Sequence, residues 1–107
     1  MANSRVILTT VGDREAAEKL ATQLVERRLA ACVNIVGPIR SVYRWEQRIQ
    51  YEEEYLLVTK TTADKAARLS AAFDEMHPYE LPEHVELEIS GGSERYLAWL
   101  AKETNEP

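Results

Sequence analysis

The chain has one cysteine, Cys32, in 107 residues. An intrachain disulfide is therefore excluded, as is any CxxC metal or redox motif, and the usage suits a reducing compartment. Clustered cations are also missing. Lys and Arg total 13 against 18 Asp and Glu, for a formal charge of −5, with no basic stripe. Nucleic acid is not an expected partner, because phosphate contacts need gathered positive charge. No apolar run approaches membrane-spanning length, so no membrane association is expected. The first residues, Met1-Ala2-Asn3-Ser4-Arg5, lack the charged and apolar regions of a signal peptide. The chain reads as cytoplasmic. There is no glycine-rich phosphate loop, no paired-carboxylate signature and no serine elbow. The reading is accordingly no enzyme and no organic cofactor.

What is present fits one domain over residues 1–107. Val6-Ile7-Leu8-Thr9-Thr10-Val11 is β-branched and apolar and predicts a buried strand. Asp13 can cap the helix that follows, in which Ala16, Ala17, Leu20, Ala21, Leu24 and Val25 recur at helical spacing. Arg27-Arg28 suits the negative end of that helix. From Ala31 the period becomes two. A strand runs through Cys32 and Val36, and Gly37-Pro38 should kink it or add a bulge. Ile39, Ser41, Tyr43 and Trp45 then share one face, with Arg40, Val42 and Arg44 on the other. Glu46-Gln47-Arg48 predicts a turn, and a third strand follows through Thr61. Thr62 or Asp64 can cap a second helix with a stripe of Ala66, Leu69, Phe73 and Met76. His77-Pro78 stops it. Val85, Leu87 and Ile89 alternate with His84, Glu86 and Glu88 and predict a half-buried fourth strand with the apolar set inward. Gly91-Gly92 breaks it, and Ser93 caps a last helix carrying Tyr96, Leu97, Trp99 and Leu100.

The order is strand, helix, strand, strand, helix, strand, then an extra helix. That is the split βαβ, ferredoxin-like α+β arrangement, with both main helices on one face of an antiparallel sheet. Its middle hairpin looks too long. The mean strand has roughly 5–6 residues, and these two have about twice that. The outer half carries Tyr43, Trp45, Ile49, Tyr51 and Tyr55. An isolated ribbon is marginal in water. The aromatics on it predict a second copy of the chain against the hairpin, paired through strand edges.

The segment His77-Pro78-Tyr79-Glu80-Leu81-Pro82 is the sharpest chemical feature. Two prolines forbid regular structure and hold an imidazole, a phenol and a carboxylate in a short loop, which reads as a binding surface. His77 ends a helix, where an imidazolium is electrostatically comfortable, and imidazole suits Cu or Zn. His84 begins a strand on its solvent face, and its spacing from His77 matches no zinc pattern. Cys32 in a strand reads as a small core hydrophobe. Glu52-Glu53-Glu54 reads as solvated edge protection, with Glu52 and Glu54 on one face. Tyr43-Arg44-Trp45 reads as an interface cluster or an anion anchor.

Five segments together carry a family resemblance. Ala30-Ala31-Cys32-Val33-Asn34-Ile35, Ser41-Val42-Tyr43-Arg44-Trp45, Leu57-Val58-Thr59-Lys60-Thr61, His77-Pro78-Tyr79-Glu80-Leu81-Pro82-Glu83 and Tyr96-Leu97-Ala98-Trp99-Leu100 closely resemble the CutA divalent-cation-tolerance family, in order and spacing, over nearly the whole chain. The resemblance implies a ferredoxin-like fold in a homotrimer joined through the long hairpins. It also implies a cytoplasmic protein tied to tolerance of copper and other divalent metals. Some members have a cysteine in the first strand and a His pair before Pro-Tyr, to which copper ligation is attributed. Here those positions hold Thr9 and Met76-His77, so His77 alone is carried over as a ligand for Cu2+ or a similar ion. Tyr43, Arg44, Trp45, Tyr79 and Glu80 are expected along an intersubunit cleft. By analogy of architecture to the PII signalling trimers, the alternative is a sensor or scaffold whose cleft takes a small anion, on Arg44 or Lys60, or a partner protein.

Overall fold

The elements fall where the hydrophobic period changes. In the computed structural model, which describes residues 3–105, β1 (Ser4–Val11) takes the β-branched run. The first helix, α1 (Arg14–Glu26), starts at Asp13, whose carboxylate accepts from the Ala16 N–H at 2.7 Å. That satisfies one of the N–H groups a helix start leaves open. Ala17, Leu20, Ala21 and Leu24 are buried, whereas Val25, expected with them, is exposed. One step beyond Leu24 turns a side chain off the buried stripe.

The two long strands are β2 (Cys32–Trp45) and β3 (Arg48–Thr62), with 14 and 15 residues. Glu46 and Gln47 join them with φ of 49° and 68°. Positive φ at both central residues is what a tight hairpin turn of matching twist requires. The ladder shifts register between Val36 and Ile39, around a cis Gly37-Pro38 bond. A Cβ on Gly37 would lie 2.6 Å from Tyr55 Cδ2, so the irregularity has room for glycine only.

Helix α2 (Ala63–Met76) follows β3 directly. Thr62 holds the capping position with extended backbone, but its hydroxyl makes no capping bond. The Ala63 N–H is taken by the Asn3 carbonyl instead. After α2 come β4 (Val85–Glu88) and α3 (Glu94–Glu103), the latter capped by Ser93, which accepts from the Tyr96 N–H at 3.2 Å.

All pairings are antiparallel and the strand order is β2-β3-β1-β4. Helices α1 and α2 cover one face, where Ile7, Val11 and Leu57 meet Leu20, Leu24, Leu69 and Phe73. This is the ferredoxin-like α+β fold. The other face is different. Val6 and Leu8 pair with Leu87 and Val85 of β4 and with Lys60 and Val58 of β3, all turned away from α1 and α2. Val85 and Leu87 are 44 % and 47 % exposed rather than facing the core. Glu86 and Glu88 take the helix side and pair with Arg5 at 3.0 and 3.5 Å. Alternation separates two faces of a strand, but pairing register decides which one is inward. Tyr96 of α3 meets this second face, with the Lys60 ammonium 5.7 Å from its ring centroid.

Candidate functional site

Beyond Tyr55 the hairpin extends past the helical layer. Its register puts Ile39 opposite Glu54, Ser41 opposite Glu52 and Tyr43 opposite Gln50 on one face. Arg40, Val42 and Arg44 lie opposite Glu53, Tyr51 and Ile49 on the other. Val42, Tyr43, Trp45, Ile49 and Tyr51 are all exposed in the single chain.

The loop after α2 closes against the end of β1. His77 Nε2 lies 3.0 Å from the Thr10 carbonyl and 3.0 Å from Thr9 Oγ1. A carbonyl can only accept, so Nε2 carries the proton. Nδ1 is then the bare nitrogen, and it accepts from the Tyr79 N–H at 3.2 Å. The residue is 8 % exposed, with its ring edge-on to Phe73. Burial holds its pKa below that of free imidazole, and the Thr10 bond and Glu54 offset this only in part. The imidazolium expected at this helix end is thus a neutral ring, because desolvation outweighs the helix dipole.

Tyr79 leaves this anchor and reaches across to the hairpin. Its O–H donates to Glu54 Oε2 at 2.7 Å. Burial, then the bond to Glu54, raises the phenol far above its ordinary pKa, so it remains a donor. Glu54 is only 6 % exposed and is no solvated guard. Glu83 is pushed up by burial and by the Glu54 carboxylate. Tyr43 is pushed up by desolvation, then by Glu52 and Glu54.

Between loop and hairpin runs a groove of about 980 Å3. The structure places Tyr43, Arg44, Trp45, Tyr79 and Glu80, the residues expected along a cleft, in its lining. Glu52, Glu54, Glu83 and Thr10 join them and were not singled out for a cleft by sequence reasoning. The one available signal was the spacing of Glu52 and Glu54, which puts both on the face of Tyr43. His77 sits behind the groove as the support of its Tyr79 wall. Elsewhere, His84 precedes β4 and packs edge-on against Phe73, 5.4 Å between centroids. Cys32 lies opposite Lys60, on the face turned away from the core, and is only partly buried.

Among the described residues no group of three His, Cys, Asp or Glu stands close enough to hold a metal ion. A metal approaching His77 Nδ1 would have to displace the Tyr79 N–H. The described residues of a single chain therefore offer oxygen donors in a groove but no assembled metal centre. Among the described residues, no helix is long and apolar enough to cross a membrane.

Comparison with known proteins places this geometry. Residues 5–103 match the family described as CutA1 divalent ion tolerance protein. Over 101 residues the chain is 46 % identical to "Protein CutA, chloroplastic" of Arabidopsis thaliana, covering 94 % of this chain and 56 % of that protein. It is 44 % identical over 99 residues to the divalent-cation tolerance protein CutA of Thermus thermophilus, covering 92 % and 96 %. The chain thus spans little more than half of the first protein and nearly all of the second. The crystal structure of CutA1 from Oryza sativa superimposes with a TM-score of 0.95 at 40 % identity, over 99 % of this chain and 97 % of that one.

Proposed function

The chain belongs to the CutA1 divalent ion tolerance family, and from that premise we propose that it acts, without catalysis, as a cytoplasmic homotrimer that takes up Cu2+ or a similar divalent cation weakly at grooves between its copies. The observation that carries this reading is the uncovered apolar surface. Val42, Tyr43, Trp45, Ile49 and Tyr51 on the hairpin and Val85 and Leu87 on β4 are all exposed in one chain. Large apolar side chains left open on both faces of the hairpin and on the edge strand β4 support contact with another copy. Both β2 and β4 are edge strands, so both offer unpaired backbone to another copy.

The groove supports the cation half of the reading. Glu52, Glu54, Glu80 and Glu83 line it against one guanidinium, that of Arg44. Because the described residues of one chain bring no three His, Cys, Asp or Glu together, uptake would need donors shared across copies, with His77 the first nitrogen to test and Glu54 the first carboxylate. Metal binding would then track assembly. The second reading, a sensor or scaffold for a small anion or a partner protein, draws on Arg44 within the groove, and the surrounding carboxylates oppose an anion there.

Native mass spectrometry of metal-stripped protein, before and after a small excess of Cu2+, tests both halves. The expected species is a trimer that gains a whole number of ions. A monomer in dilute solution would end the assembly reading, and a trimer indifferent to copper would end the metal reading.

A further inference from the structure

Resting on the reading of this groove as a cation site, we infer that it also accepts an organic ammonium, a linear amine or diamine whose charge seats on Glu54 and whose chain lies along the rings of Tyr43, Trp45 and Tyr79. Three observations lead here. The groove, at about 980 Å3, has room for a molecule rather than a bare ion. Its lining mixes aromatic rings with carboxylates, the pairing that recognises ammonium groups by ring face and by charge together. Its charge is also one-sided, four carboxylates lining it beside the single guanidinium of Arg44. Glu54 is nine-tenths buried, the Tyr79 hydroxyl bonds its Oε2, and the ion pairs of Arg5 with Glu86 and Glu88 and of Arg28 with Glu103 lie outside the groove.

Three of the chain's cations are engaged outside the groove. Arg14, Arg40 and Lys60 stack on Tyr55, Tyr51 and Tyr96, none of which lines the groove. Tyr43, Trp45 and Tyr79 keep partly open faces in one chain, and since Tyr43 and Trp45 also belong to the surface assigned above to contact between copies, the amine would sit in the groove where two copies meet. A primary ammonium carries three N–H donors and no acceptor, which suits Glu54 with Glu52 and Glu83 beside it. Burial first, and then the Glu54 carboxylate, raises the affinity of Glu83 for its proton. Arg44, the one cation in the lining, is opposed by four carboxylates.

The test uses the full chain carrying Trp99→Phe, which leaves Trp45 as the sole indole. Butane-1,4-diamine should change Trp45 emission saturably, and butane-1,4-diol, of the same length without charge, should not. Glu54→Gln keeps an acceptor for Tyr79 and should weaken diamine binding about tenfold or more. Trp45→Ser, at the exposed hairpin end and read by calorimetry, should weaken it too. The inference is overturned if diol matches diamine, if the diamine gives no saturable change, or if both variants bind it as the parent does. Native mass spectra of the same samples keep the two readings apart. A trimer that takes copper and ignores the diamine removes this inference alone, whereas a chain that neither assembles nor takes copper removes the groove reading beneath it.

Discussion

Two threonines on one face of β3 should respond in opposite directions to the same substitution. Thr59 and Thr61 are both fully buried. Thr61 Oγ1 donates to the Leu29 carbonyl at 2.6 Å. Thr59 Oγ1 meets no hydrogen-bond partner among the described residues and lies between Ile7 and Val33 in the ladder. Valine has nearly the shape of threonine, with a methyl in place of the hydroxyl. Thr59→Val removes a desolvated hydroxyl and adds apolar contact, so it should stabilise by about 1 kcal/mol. Thr61→Val breaks a short bond and strands a buried carbonyl, so it should destabilise by about 1–3 kcal/mol. The two variants should therefore differ by at least about 2 kcal/mol, more than a small domain's typical scatter for surface changes. Urea unfolding followed by circular dichroism reads this. Protein concentration must be held constant, because association couples stability to concentration. Shifts of the same sign and size in both variants would refute the argument, since they would mean that volume rather than hydrogen bonding governs this strand.

Gly37→Ala should cost about 1–3 kcal/mol, because the new Cβ meets Tyr55 Cδ2 at 2.6 Å and the Glu54 carbonyl at 3.1 Å and must push the ring off the core; an unchanged urea midpoint would show that the ring yields freely. His77 is held neutral with its pKa below 6.5, so the folded state takes up a proton less readily than the unfolded chain. The stability this supplies is complete above pH 6.5 and is lost as pH falls through the folded value. Urea midpoints of metal-free protein should fall on acidification below pH 6.5, and His77→Gln should flatten that limb; an unaltered profile in the variant would place the acid sensitivity elsewhere.

The parts of the fold legible in the sequence are those encoded locally. The β-branched apolar run before Gly12-Asp13 marks β1, the helical spacing after Asp13 marks α1, and the period of two from Ala31 marks β2. Glycine and proline at 37–38 foretell the break in the ladder. The inward face of β4 was not legible in this way. Val85 and Leu87 alternate cleanly with Glu86 and Glu88, and only pairing with β1, far away in sequence, decides that the glutamates take the helix side. Glu54 was hidden for a related reason. Within Glu52-Glu53-Glu54 it looks like any solvated acid, and its burial comes from Tyr79, which a separate loop delivers. The tautomer of His77 was equally beyond reach, since it depends on a carbonyl of β1.

The hairpin also sets an order of events. Its first rung, Trp45 with Arg48, closes over two residues, and each further rung adds little to the loop already closed. The rungs of β1 with β3 and β4 join distant parts of the chain and must wait. A nascent chain therefore holds a zipped, aromatic ribbon before it has the sheet that anchors one end of it. Such a ribbon is the segment most exposed to stray pairing during synthesis. Arg40, Arg44, Arg48 and the three consecutive glutamates, spread over both of its faces, act as gatekeepers for that interval.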